Sequence, residues 1–196
     1  MSFRLGLTGS IGMGKSNTAQ LFADEGCAVW DADAAVHRLY APDGAAVAPM
    51  QAAFPAAIED GAVSRPRLKD IIAADPTALK RIESIVHPLV AQDRAAFIDS
   101  ATSDILVFDI PLLFETGGDA NMDATATVSV DPATQEARVM DRGTMTKAQF
   151  DQIRAKQMPD AEKRARADHV IITDTLDHAR AQVAKIVRQI RNRTHA

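Results

Sequence analysis

No segment constrains this chain more than Leu7–Ser16, which reads LTGSIGMGKS. It follows a β-type run, FRLGLT, and precedes a helical stretch, KSNTAQLFADE. Glycine loses more conformational freedom on ordering than any other residue. A glycine-rich loop between two regular elements therefore answers to a tight turn or to a ligand that must approach bare backbone. Gly9-x-x-x-x-Gly14-Lys15-Ser16 satisfies the Walker A pattern, and strand–loop–helix is the context that pattern requires. In such a loop the backbone N–H groups form an anion nest at a helix N-terminus. Lys15 would reach the β- and γ-phosphates, and the Ser16 hydroxyl would ligate Mg²⁺. The nucleotide-binding candidates are Gly9, Ile11, Gly12, Met13, Gly14, Lys15, Ser16 and Asn17. ATP with Mg²⁺ is the expected ligand.

The rest of the chain alternates strand and helix. CAVWD, ILVFDI, ATATVSV and HVIIT read as further strands, and ILVFDI is apolar enough for a central, doubly covered one. ATQEARVMDR and LDHARAQVAKIVRQIRNR read as helices. The expected fold is α/β, a P-loop NTPase-type parallel sheet flanked by helices. From about residue 43 to 103 no strand is evident, and AAVAPMQAAF, RPRLKDIIAAD, PTALKRIESIVHP and LVAQDRAAFIDSA are helical pieces punctuated by prolines. The expected organisation is a core of residues 1–42 and 104–196 with a helical insert, 43–103.

Carboxylates at strand ends are the next candidates, because ligands of open α/β sheets bind at that edge. Asp31 and Asp33 follow the second strand in DADAAVHRL. Either could accept a proton from an acceptor hydroxyl, hold Mg²⁺ through water, or merely cap the following helix. Asp109 ends ILVFD and has Walker B character, suited to magnesium or a positioned water. Arg138 and Arg142 stand at i and i+4 on one helix and can point together. The guanine-reading N-K-x-D sequence is absent, which disfavours a GTPase. A small-molecule kinase remains.

LTGSIGMGKS, DADAAVHRL, IVHPLV, DIPLLFE and RVMDR followed by a Gln occur in this order across nearly the whole chain. In these pieces the chain resembles the dephospho-CoA kinase family, the last enzymes of coenzyme A biosynthesis. The resemblance implies a nucleotide-binding core, a helical CoA domain and a lid, here about residues 138–158. It implies phosphorylation by ATP of the ribose 3′-hydroxyl of dephospho-CoA, giving CoA and ADP. Asp33 then matches the general base, Lys15 and Ser16 the phosphate and magnesium ligands, and Arg138 and Arg142 the lid arginines. Arg65, His87 and Leu113 match positions on the acceptor side. The chain departs from the family pattern at Asn17, Ala73 and Gly143, and in the turn after the last strand, where it reads Thr173-Asp174-Thr175.

Composition limits the alternatives. A net charge of −4 gives no general affinity for nucleic acid or anionic membrane. The basic residues of the last helix, Arg180, Lys185, Arg188, Arg191 and Arg193, read as a solvated face near a helix C-terminus. Cys27 is the single cysteine, so no intrachain disulfide forms, and it reads as a small buried hydrophobe. Neither a signal peptide nor a run of ~20 apolar residues is present. A cytoplasmic monomer or weak homo-oligomer is expected, with no nucleic-acid or membrane partner.

Overall fold

A computed structural model describes residues 2–194. Strand β1 (Phe3–Thr8) leads through the glycine loop into α1 (Lys15–Asp24), and β2 (Ala28–Asp31) follows. A helical stretch comes next: α2 (Ala32–Tyr40), α3 (Val47–Ala53), the short strands β3 (Ile58–Glu59) and β4 (Ala62–Val63), α4 (Arg65–Ala74) and α5 (Ala78–Ser100). The chain resumes with β5 (Ile105–Asp109), β6 (Ala124–Ser129), α6 (Pro132–Asp141) and α7 (Lys147–Lys156). It ends with α8 (Asp160–Arg166), β7 (His169–Ile172) and α9 (Leu176–Thr194). Two compact units result, one running up to Trp30 and again from Ala101, the other spanning Asp31–Ser100.

The first unit holds a five-stranded sheet in the order β2-β5-β1-β6-β7. β1 pairs in parallel with β5 and with β6, and β6 with β7. Every residue of β5 and β6 is buried, as the unbroken apolar run of ILVFD leads one to expect. Leu5, Leu7, Phe22, Val107 and Val128 form the centre of the core. α9 joins it through Ala179, Val183, Ile186, Val187 and Ile190, spaced at helical intervals, and packs on α1 and β7. β1 lies between β5 and β6, where the strand order reverses, so its C-terminal end is the switch point at which α/β sheets bind ligands. The glycine loop begins there.

The second unit has its own apolar core, including Leu39, Met50, Phe54, Val63, Ile82 and Val86. Two features differ from the sequence reading. A small antiparallel hairpin joins β3 to β4, although no strand was expected in this region. Its turn is Asp60-Gly61, both at positive φ, 49° and 76°, which is the Asp-Gly signature of a tight hairpin. In addition, α5 runs unbroken through Pro88 instead of stopping there. Proline removes one ladder donor. Ser84 and Pro88 are both exposed, so water can satisfy the carbonyl left over. By its packing on α5, α2 groups with this unit, and the division falls at Trp30 rather than after residue 42. Among the described residues no helix is long and apolar enough to cross a membrane.

Candidate active site

Helix α1 begins without a side-chain cap. Its N-cap is Gly14 in the left-handed region, and its first turn carries no acidic residue. By contrast, Asp131 caps α6 and Thr146 makes a full capping box at α7. The first-turn N–H groups of α1 are thus available to an outside anion. Lys15, the first residue of the helix, ion-pairs with Asp109 at the end of β5. Asp109 is almost wholly buried, at 1% side-chain exposure. The Walker B candidate and the P-loop lysine therefore meet directly. Ser16, next in sequence, is exposed.

The glycines of the loop answer to the protein's own packing as well as to a ligand. A Cβ at Gly9 would lie 2.2 Å from the Val128 side chain. One at Gly12, where φ is +78°, would lie 2.6 Å from Val139 and 2.9 Å from the Gln135 carbonyl. The structure adds close contact with β6 and α6.

Thr173, just past β7, ties the loop to the end of the sheet. Its hydroxyl donates to the Met13 carbonyl at 2.7 Å, and Arg138 donates to the same hydroxyl at 3.1 Å and to the Thr173 carbonyl. Arg138 is accordingly anchored to the turn after β7. It still lines, with Arg142, Gly14, Asn17, Thr18 and Thr175, a cavity of about 240 Å³ beside the start of α1. The i, i+4 spacing does bring both arginines to one place. The Met13 side chain is buried, and its sulfur accepts the Val130 N–H at 3.3 Å. Ile11 is gripped by two glutamines, Gln157 at its N–H and Gln135 at its carbonyl.

A larger cavity, about 780 Å³, is lined by Ser10, Asp131, Arg154, Met158, Asp160 and Arg164 among others. Arg154 stacks over Phe150 at 5.2 Å and donates to Asp151 at 3.2 Å. Beside this cavity lies a buried ion pair that the sequence reading missed. Lys163 of α8 has no exposed side-chain surface and pairs with Glu115 at 2.9 Å. Burial alone would raise the Glu115 pKa, but hydrogen bonds from Lys163 and the Met158 N–H outweigh it and hold the carboxyl below its ordinary 4.5. Leu113, in the same segment, is fully buried against Gly6, so its side chain offers nothing to a substrate. Leu112, by contrast, is 42% exposed.

Arg191, half-exposed on the last helix, is also paired: it donates to Asp104 at 2.8 Å and to the Glu25 carbonyl at 3.1 Å. Cys27 is buried as expected, and burial pushes its thiol up to about 11, so it is inert as a nucleophile at neutral pH.

In the second unit, Asp31 caps α2, accepting the Ala34 N–H at 2.9 Å, and Asp33 sits in that helix's first turn. Arg65 opens α4 with its guanidinium 5.9 Å from the Tyr40 ring centre. His87 is exposed on α5, so it is not a core histidine.

Comparison with known proteins decides among the kinases. A family model described as dephospho-CoA kinase matches residues 3–177. The chain belongs to the dephospho-CoA kinase family. It is 78% identical to the dephospho-CoA kinase of Ruegeria pomeroyi over 191 residues, covering 97% of each chain. Its fold matches the crystal structure of TT1252 from Thermus thermophilus with a TM-score of 0.86 at 29% identity, covering 96% and 97% of the two chains. The dephospho-CoA kinase of Campylobacter jejuni shares the fold at a TM-score of 0.69 and 22% identity, with 97% and 98% covered. As a dephospho-CoA kinase the chain is an ATP-using phosphotransferase.

Proposed function

We propose that the enzyme transfers the γ-phosphoryl group of ATP to the ribose 3′-hydroxyl of dephospho-CoA, releasing CoA and ADP. The observation that carries the ATP assignment is the open N-terminus of α1, with Lys15 at its first position and Gly14 before it. When the triphosphate arrives, the α1 N–H groups and Lys15 hold its β- and γ-phosphates, and Lys15 exchanges Asp109 for phosphate oxygens. Arg142 supplies a fixed positive charge and a donor fork to the phosphoryl group in transit, and Arg138 stabilises the nucleotide beside it.

Mg²⁺ suits the donors present, which are hard oxygens: the exposed Ser16 hydroxyl and the Asp109 carboxylate. When bound it would neutralise charge on the phosphate oxygens. Asp31 spends one oxygen on its helix cap, so any magnesium role falls to the other.

Asp33 is the general base in this reading, supported by its match to the family motif. Phosphoryl transfer is largely dissociative, so the carboxylate mainly orients the hydroxyl and takes its proton late. Arg65 and His87 serve the acceptor, and the helical unit of Asp31–Ser100 is its binding domain.

ADP release measured with dephospho-CoA, shikimate and nucleoside monophosphates tests the acceptor. Dephospho-CoA alone should support turnover. Asp33→Asn should keep both substrate affinities within a few-fold and lower kcat by ~10²-fold or more. If Asp31→Asn is the dead enzyme and Asp33→Asn the mild one, the base is the other carboxylate.

A further inference from the structure

Ile11 lies on the outer limb of the glycine loop, and both of its backbone polar groups are taken by side-chain amides. Its N–H donates to Gln157 Oε1 at 3.1 Å, and its carbonyl accepts from Gln135 Nε2 at 2.7 Å. The chemistry fixes each amide's orientation, since an N–H needs an oxygen and a carbonyl needs an NH₂. Gln135 is buried in α6 and cannot swing away. Gln157 is the residue just after α7, and its neighbour Met158 donates its backbone N–H to Glu115 at 2.9 Å. Glu115 is itself locked by the buried Lys163. The side chain that holds Ile11 thus hangs from a strap pinned at its next residue to a buried ion pair.

We propose that Gln157 is a positioning residue for the nucleotide, which sets the conformation of the glycine loop through the Ile11 N–H and couples it to the α7–α8 strap. The inference rests on the reading that this loop binds ATP. Each glutamine satisfies a part-buried backbone group that would otherwise lose its partner, and leaving such a group unmet costs up to about a tenfold change in equilibrium constant. The loop must be ordered before it can present its N–H groups, so the loss falls on ATP binding. Arg65 and His87, the residues read as serving the acceptor, belong to the helical unit, so the acceptor's affinity stays as it is.

Steady-state kinetics on the full chain, with ATP and dephospho-CoA, test the idea in Gln157→Met, Gln135→Met and the double variant. Methionine keeps the length of glutamine and removes the amide. Gln157→Met should raise the KM for ATP about tenfold, with kcat and the KM for dephospho-CoA within about threefold and the melting temperature nearly unchanged. Gln135→Met should do the same. The double variant should be little worse than either single, because both act through one residue of the loop, Ile11. An unchanged KM for ATP in a folded Gln157→Met protein overturns the proposal, as do single effects that multiply in the double. Lys15→Ala separates the two levels. If it also leaves ATP use intact, the loop's assignment fails rather than the role of Gln157.

Discussion

The two units handle polar side chains in opposite ways. Among the described residues, every buried polar or charged one, including Thr8, Asp109, Gln135, Lys163 and Thr173, belongs to the sheet-bearing unit. The buried residues of the helical unit are apolar or aromatic, and its ion pairs, Arg38–Asp93 and Arg67–Glu59, lie toward the surface. Burying a polar group costs free energy unless it is bonded. The sheet-bearing unit bears that cost where backbone must be held in one geometry: at the glycine loop, at the strand ends and along the strap to α8. Apolar burial is non-directional. It is enough for a unit whose side chains need only pack.

Three substitutions would break or sharpen this contrast, and they run from large to small. In folded protein Lys15→Ala should lower kcat by about 10²–10³-fold, because a preorganised positive charge at the developing phosphoryl charge is lost, and it should also cost stability, because it strands the Asp109 carboxylate in the interior. A folded variant with wild-type turnover would remove the interior ion pair Lys15–Asp109 from the functional side of the comparison.

Glu115→Ala should cost about 3–5 kcal/mol of stability in chemical denaturation, since it strands the Lys163 charge in the interior. The pH dependence follows from the same pair. The folded Glu115 pKa is lowered below 4.5, so between that folded value and 4.5 the unfolded chain binds more protons. The stability it contributes is therefore complete above about pH 4.5 and disappears as pH falls through the folded value. The variant should lack this acid limb, and an unaltered acid profile would show that the pair does not carry it.

Arg38→Ala in the helical unit should cost no more than about 1 kcal/mol by the same denaturation measurement, because Arg38 is exposed. A loss as large as that of Glu115→Ala would erase the distinction between the units.

Local features of the chain were legible in advance. The Walker A loop, the strand before it and the helix after it follow from residue types at adjacent positions, as does the i, i+4 pairing of Arg138 with Arg142 at one cavity. The Asp60-Gly61 hairpin carried a local signal too, but the strands it joins are only two residues long, too short to show alternation. Pro88 gave the opposite error, because a proline reads as a breaker wherever solvent exposure of the freed carbonyl is unknown.

The sequence by itself determined which backbone segments take which form and where the glycine loop meets an uncapped helix start, because propensity, periodicity and glycine spacing act over a few residues. Tertiary structure alone decided how that site is held. Gln157 reaches Ile11 across 146 positions, Thr173 reaches Met13 across 160, and Arg191 reaches Asp104 across 87. Nothing near a glutamine, a threonine or an arginine in sequence marks its distant partner. A hydrogen bond depends on the final position of two atoms, and the folding of the sheet brings those atoms together.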